Sequence, residues 1–246
     1  MDIVIVGYGR MGRLVDQWAE AHHCTVTHRL DSRSALEAAT FAGTEVAIEF
    51  THGQMVVDNL RLLAERGVST VTGTTGWLDR LPEIEALAIT HNIGVLWSAN
   101  FAIGVQLFWR AVEQVTQTMQ AATAYDVFGY EAHHRFKADA PSGTALQTAE
   151  RVLHHLPQKD TLVTDLPNRA LHQNELHWGV MRGGYVPGTH GVVFDSEVDA
   201  IELKHTARTR DGFARGALDA ARWLEGRTGC YSMDDFMTDT FFAKKD

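Results

Sequence analysis

Ile3-Val-Ile-Val6-Gly7-Tyr-Gly9-Arg-Met-Gly12 is the stretch on which the fold turns. Four β-branched residues without a polar break read as a strand buried on both faces, the kind found in parallel sheets. Behind the glycines, Leu14, Val15 and Trp18 fall on one face of a helix. G-x-G-x-x-G between a strand and a helix is a dinucleotide-binding turn. Its first glycine permits the tight turn. The second lets a pyrophosphate approach the backbone, and the third lets helix and strand pack closely. The next strand is expected over 25–30 and ends at Asp31, where an acidic side chain can hold a ribose hydroxyl. Asp31 is equally placed to cap a helix. Arg29 and Arg33 flank it and are placed to receive a 2′-phosphate, so the residues leave NADH or NADPH open.

From there strands and helices alternate. Val46-Ala-Ile48 reads as a strand. A helix is expected over 55–65, with Val56, Leu60 and Leu63 on one face and Gly67 as its stop. A strand over 68–71, a helix over 82–90 with Pro82 in its first turn, and a strand over 95–97 follow. This alternation predicts a parallel sheet with right-handed crossovers, whose ligands bind beyond the carboxyl ends of the strands. Small and polar residues collect at those ends: Thr51, Gly73-Thr-Thr-Gly76 and Ser98-Ala-Asn100. At Ile103 the pattern changes. Val105, Phe108, Val112, Val115 and Met119 define one long amphipathic helix, which opens a second domain. Residues 125–130 alternate as a strand of an antiparallel or mixed sheet. A helix over 143–156 comes next. Residues 157–175 are polar and irregular, and are expected to be the most mobile part. Strands over 176–181, 192–194 and 200–206 lead to a last helix, capped by Asp211, that returns to the first domain. The tail from Cys230 is too short to fold alone. The expected class is α/β, a Rossmann-type nucleotide-binding domain (1–103 and 209–246) plus an α+β substrate-binding and oligomerisation domain with a mixed sheet (104–208).

Chemistry concentrates in Glu131-Ala-His133-His134-Arg-Phe-Lys137-Ala-Asp-Ala-Pro-Ser-Gly143-Thr144. This reads as a strand end, a loop and a helix start. A helix start offers free backbone N–H groups and the positive end of a dipole to an anion. Joined to two histidines, an arginine and a lysine, it fits chemistry on a carboxylated substrate. The plainer alternative is an exposed polar loop in which His134 caps or packs. The bulk numbers narrow the field. The chain has 246 residues, 45% hydrophobic, enough for one large domain or two small ones. A net charge of −9 without a basic tail disfavours nucleic acid. Cys24 and Cys230 stand far apart in no metal-type spacing, so no disulfide framework and no metal is expected. No apolar run approaches the roughly 20 residues of a membrane span, and the start lacks a basic leader, so a cytoplasmic protein is expected.

The sequence resembles the bacterial 4-hydroxy-tetrahydrodipicolinate reductases, also called dihydrodipicolinate reductases. The matching pieces are the glycine loop, Glu49-Phe-Thr51, Gly73-Thr-Thr-Gly76, Ser98-Ala-Asn-Phe101, residues 131–145, Arg182-Gly-Gly184, Gly188-Thr-His190 and residues 204–213. They come in the family's order and cover nearly the whole chain. The resemblance implies reduction of 4-hydroxy-tetrahydrodipicolinate with NADH or NADPH on the diaminopimelate and lysine pathway. It implies a homotetramer, or a homodimer, built on the central sheet. By matching position, His133 is the expected general acid/base with Lys137 its partner, and His134, Gly143 and Thr144 are expected to bind substrate. Gly7, Gly9, Arg10, Met11, Gly12, Asp31, Gly73, Thr75, Ala99, Asn100, Phe101, Arg210 and Phe213 are the expected cofactor residues. Two departures bear on the cofactor: the first two glycines are one residue closer than in many members, and Asp31-Ser32 stands where Glu and, in some, Arg occur. The rival readings are another two-domain NAD(P)-dependent dehydrogenase and a non-catalytic dinucleotide sensor.

Overall fold

The computed structural model describes residues 1–41 and 46–243, and the chain falls into two compact units, Met1–Ile103 with Asp211–Asp246 and Gly104–Arg210. In the first unit β1 (Asp2–Val6), α1 (Arg10–Ala19), β2 (Thr25–Leu30), α2 (Arg33–Ala38), β3 (Val46–Glu49), α3 (Gly53–Glu65), β4 (Ser69–Thr72), α4 (Leu81–Thr90) and β5 (Gly94–Trp97) alternate. The unit is completed from the far end of the chain by α7 (Asp211–Leu224), β11 (Gly229–Ser232) and α8 (Met233–Met237). Its six strands pair only in parallel, in the order β11-β5-β4-β3-β1-β2. The apolar side chains on both faces of β1 explain why it must be covered twice. Ile3 and Ile5 pack with Val15 of α1 and with Ala217, Leu218 and Ala221 of α7, while Val4 and Val6 pack with Leu36 and Leu63 on the opposite face. The alanines of α7 and Gly216 let that helix lie close: a Cβ at Gly216 would run into the carbonyl oxygen of Phe101.

In the second unit α5 (Ile103–Met119) and α6 (Gly143–His155) accompany a sheet of β6 (Asp126–His133), β7 (Thr161–Val163), β8 (Glu175–Arg182), β9 (Thr189–Asp195) and β10 (Ala200–Thr206). The order is β10-β9-β6-β8-β7, antiparallel on the β9 and β10 side and parallel on the β8 and β7 side. The mixed sheet expected from the sequence is therefore present.

At the sheet edge β11 joins β5, and a Ser232–Asp235 capping box starts α8. Three local readings are corrected. Residues 157–175 carry β7, and Lys159 there is buried, paired with Asp126 and donating to the Glu175 carbonyl at 2.9 Å. Ser32, not Asp31, caps the short helix α2, its Oγ accepting from the Ala35 N–H at 3.3 Å. Asp211 is the first residue of α7 rather than a residue before it.

Candidate active site

β1 and β3 lie side by side while their chains leave in opposite directions, β1 to β2 and β3 to β4. This is the switch point at which open parallel sheets bind ligands. A cavity of about 690 Å³ opens there, lined by Gly7, Gly9, Arg10, Met11, Asp31, Phe50, Thr51, Asn59, Gly73 and Thr75 among others. Seven of the expected cofactor residues are thus on one wall system. Gly12 lies beneath it, buried in α1, where a Cβ would strike the Gly7 carbonyl oxygen. Gly7 takes φ +93° and would clash with the Phe50 carbonyl if it carried a side chain. Gly9 differs from both: it sits at φ −82°, and a Cβ there would meet nothing within 4 Å. Packing demands Gly7 and Gly12, and it does not demand Gly9. A group that must come close to the backbone from the cavity side does.

The cavity floor rests on a residue to which the sequence reading gave no role. Glu49, fully buried at the end of β3, accepts hydrogen bonds from the Thr51 hydroxyl, from the Thr72 hydroxyl at 2.6 Å and from the Asn59 amide at 3.5 Å. It ties the turn after β3 to the end of β4. The other expected cofactor residues lie elsewhere. Ala99 is exposed in the turn after β5. The Asn100 side chain accepts from the Ala102 N–H at 3.0 Å, and Phe101 is buried beside Phe50. Arg210 is exposed at the end of the second unit, and Phe213 is half-buried on α7.

In the second unit, His133 is not in a loop but is the last residue of β6, buried, with its carbonyl accepting from the Gly183 N–H at 3.0 Å. The loop begins at His134, which is half-buried. Lys137 donates to both carboxylate oxygens of Asp139, at 2.7 and 2.8 Å. Ser142 caps α6 by accepting from the Ala145 N–H at 3.1 Å, so Gly143 and Thr144 form the first turn of a thirteen-residue helix. Gly143 is exposed with open space where a Cβ would stand.

Behind His133 lies a buried polar cluster. Glu131, two residues back on the same face of β6, is fully buried. Its Oε1 accepts from Arg182 at 2.7 Å and from the Ser142 N–H at 3.0 Å. Its Oε2 faces His133 Nδ1 at 3.3 Å and His190 Nε2 at 3.5 Å. Glu131, His133 and His190 present a donor set of metal-ligand type, and the guanidinium of Arg182 already matches the carboxylate's charge. Burial pushes the Glu131 carboxyl up, but hydrogen bonds from His190, Ser142 and Arg182 more than reverse this and hold it at about 2. Burial lowers His133 to about 4 against the raising effect of Glu131. Both shifts disfavour acid. Glu131 contributes stability that is complete above its ordinary value near 4.5 and fades as pH falls toward 2, while protonation of His133 in the unfolded chain draws stability away from about pH 6.5 downward. Urea unfolding midpoints are therefore expected to drop steadily from pH 7 to pH 3. Midpoints flat across that range would show that the cluster does not govern acid stability.

The first unit is thus a parallel sheet with an open glycine turn at its switch point, and the second carries a buried histidine–carboxylate pair. The family described as dihydrodipicolinate reductase, N-terminus, matches residues 1–101, and its C-terminal counterpart matches residues 104–237. A 4-hydroxy-tetrahydrodipicolinate reductase of Christiangramia forsetii is 31% identical over 98% of this chain and 99% of its own. One of Archaeoglobus fulgidus is 34% identical over 93% and 96%. Among solved structures, a dipicolinate-bound dihydrodipicolinate reductase from Paenisporosarcina sp. TG-14 superposes with a TM-score of 0.73 at 20% identity, covering 94% of this chain and 97% of that one. The chain belongs to the dihydrodipicolinate reductase family. Among the described residues no helix is long and apolar enough to cross a membrane.

Proposed function

We propose that this chain reduces 4-hydroxy-tetrahydrodipicolinate to tetrahydrodipicolinate with a nicotinamide dinucleotide, in the cytoplasm, on the route to diaminopimelate and lysine. The observation that carries the reading is His133, set at the end of a strand against a fixed carboxylate, in a chain whose other unit holds an open glycine turn over a cavity. A nicotinamide dinucleotide held by the glycine turn would supply a hydride to the conjugated ring left when the substrate loses its hydroxyl as water. Negative charge then spreads over the ring and needs a proton. His133 donates it as the imidazolium, and Lys137 adds a positive charge and a second donor. The backbone N–H groups of Gly143 and Thr144, at the positive end of α6, hold a substrate carboxylate. In the first unit the turn at Gly9 and Arg10 receives the pyrophosphate, and Asp31 accepts from a ribose hydroxyl.

The same wall argues for NADH over NADPH. Asp31 would face a 2′-phosphate with like charge, while Arg33 is paired with Glu37 at 2.9 Å and Arg29 with Asp16 at 2.6 Å. The test is loss of NADH or NADPH absorbance with freshly made dihydrodipicolinate synthase product, set beside a panel of amino-acid and sugar substrates. Turnover confined to the synthase product is expected, with kcat/KM for NADH at least about tenfold higher, a difference of about 1.4 kcal/mol. Absence of turnover removes the reading, and a preference for NADPH removes the role of Asp31. For assembly we propose a homotetramer through the outer face of the second sheet, where Phe128 and Met181 are 38% and 53% exposed.

A further inference from the structure

We propose that Glu131 is the positioning residue for His133: its Oε2 accepts a hydrogen bond from Nδ1–H and so leaves Nε2 as the nitrogen that exchanges the substrate's proton. This rests on the reading of His133 as the acid. Three observations carry it. Glu131 Oε2 and His133 Nδ1 face each other at 3.3 Å, both are buried, and among the described residues Nδ1 makes no hydrogen bond of good geometry with any other group, while His190 Nε2 also faces Oε2 at 3.5 Å. Leaving Nδ1 buried and unbonded would cost about 1–3 kcal/mol, and Oε2, a carboxylate oxygen that can accept from both histidines, is the acceptor that faces it. Such bonds are often long in a free enzyme and tighten in the substrate complex.

The carboxylate is also fixed. Arg182 and the Ser142 N–H hold Oε1, and Arg182 bonds the Asp139 carbonyl at 2.6 Å as well. Strand register supplies the arrangement: His133 lies opposite Arg182 in β8, and Glu131 lies opposite His190 in β9. Finally, the far nitrogen is kept clear. A Cβ at residue 188 would stand 3.0 Å from His133 Nε2, and the residue there is Gly188. The proton balance agrees. The imidazolium gives its Nε2 proton to the ring carbon and becomes the Nδ1–H tautomer, the one a carboxylate at Nδ1 stabilises, until Nε2 is reprotonated from solvent.

The groups facing His133 are Glu131, His190, Lys137 and Arg182, and only Glu131 favours its protonated form. Two measurements on the full chain test the proposal. In substrate-free protein with 15N-labelled histidine, the His133 ring, assigned by its absence in His133→Ala, is expected as the Nδ1–H tautomer at neutral pH. An Nε2–H tautomer overturns the proposal whether or not the protein turns out to be this reductase. In Glu131→Gln, kcat is expected to fall about 10²-fold, with KM changed less than about threefold. The limb of the kcat profile that reports loss of the His133 proton should move down by about 1–3 pH units. A folded Glu131→Gln variant whose limb does not move assigns Glu131 a merely structural role and overturns the proposal. If that variant does not fold, the tautomer of the wild-type ring decides alone.

Discussion

His133→Ala is expected to lower kcat by about 10²-fold or more, the scale on which a positioned general acid contributes, while the dissociation constant for the dinucleotide stays as it is. The second half of that statement makes the test specific. Every residue lining the cavity at the glycine turn belongs to the first unit, and His133 belongs to the second. A loss of dinucleotide affinity alongside kcat would point to general damage instead. Some damage is expected, because the truncation strips a facing group from the fully buried Glu131 Oε2. Thermal unfolding must therefore be measured beside turnover. Lys137→Ala is expected to act in the same direction with less structural cost, since among the described residues its ammonium is engaged with the exposed Asp139 alone. Near-normal kcat in both folded variants would take these residues out of the reaction. The ring of His133 sits at about 4 in the substrate-free protein, so it is neutral at pH 7. On the proposed reading, a substrate with two carboxylates would bring the negative charge that raises it, and binding would make the acid.

What the sequence conveyed and what it hid follow from the range of the interactions involved. β1 to β5 are short apolar runs ended by turn residues, and α5 keeps its spacing over seventeen residues, so local pattern suffices for them. α2, β7, β11 and α8 have six, three, four and five residues, too few to show a period. β11 exists because β5 offers it an edge, with Gly229 at φ +121° opposite Gly94, whose missing Cβ would strike the Arg227 carbonyl and the Leu224 side chain. The same division holds in the site. His133 and Lys137 share one loop-and-strand motif and are visible as neighbours in the chain. Glu131 had a local signal that went unread: in β6 it occupies the buried phase with Val127 and Gly129, where a carboxylate is out of place unless partnered. Arg182 and His190 had none. They come from β8 and β9, and only the pairing register puts them on Glu131.

Gly9→Val is the second large effect expected, and it separates the three glycines that the motif makes look alike. Gly7→Val should fail to give stable protein, because φ +93° and the Phe50 carbonyl both refuse a side chain, at a cost of about 1–3 kcal/mol for the backbone strain alone. Gly9→Val should fold. Its backbone is extended at φ −82°, it precedes rather than interrupts α1, and the new side chain meets no protein atom within 4 Å of its Cβ. What it fills is the approach to the backbone from the cavity. Displacing a pyrophosphate from one or two charge-assisted hydrogen bonds costs about 1.5–3 kcal/mol each, so calorimetry should find dinucleotide affinity about 10²-fold weaker. Turnover at saturating substrate should fall with it and recover in part at high dinucleotide concentration, which a defect in the His133 unit would not do. Unchanged affinity in a folded Gly9→Val protein would mean that the space above Gly9 is not where the phosphates sit, and that the glycine there serves neither packing nor ligand.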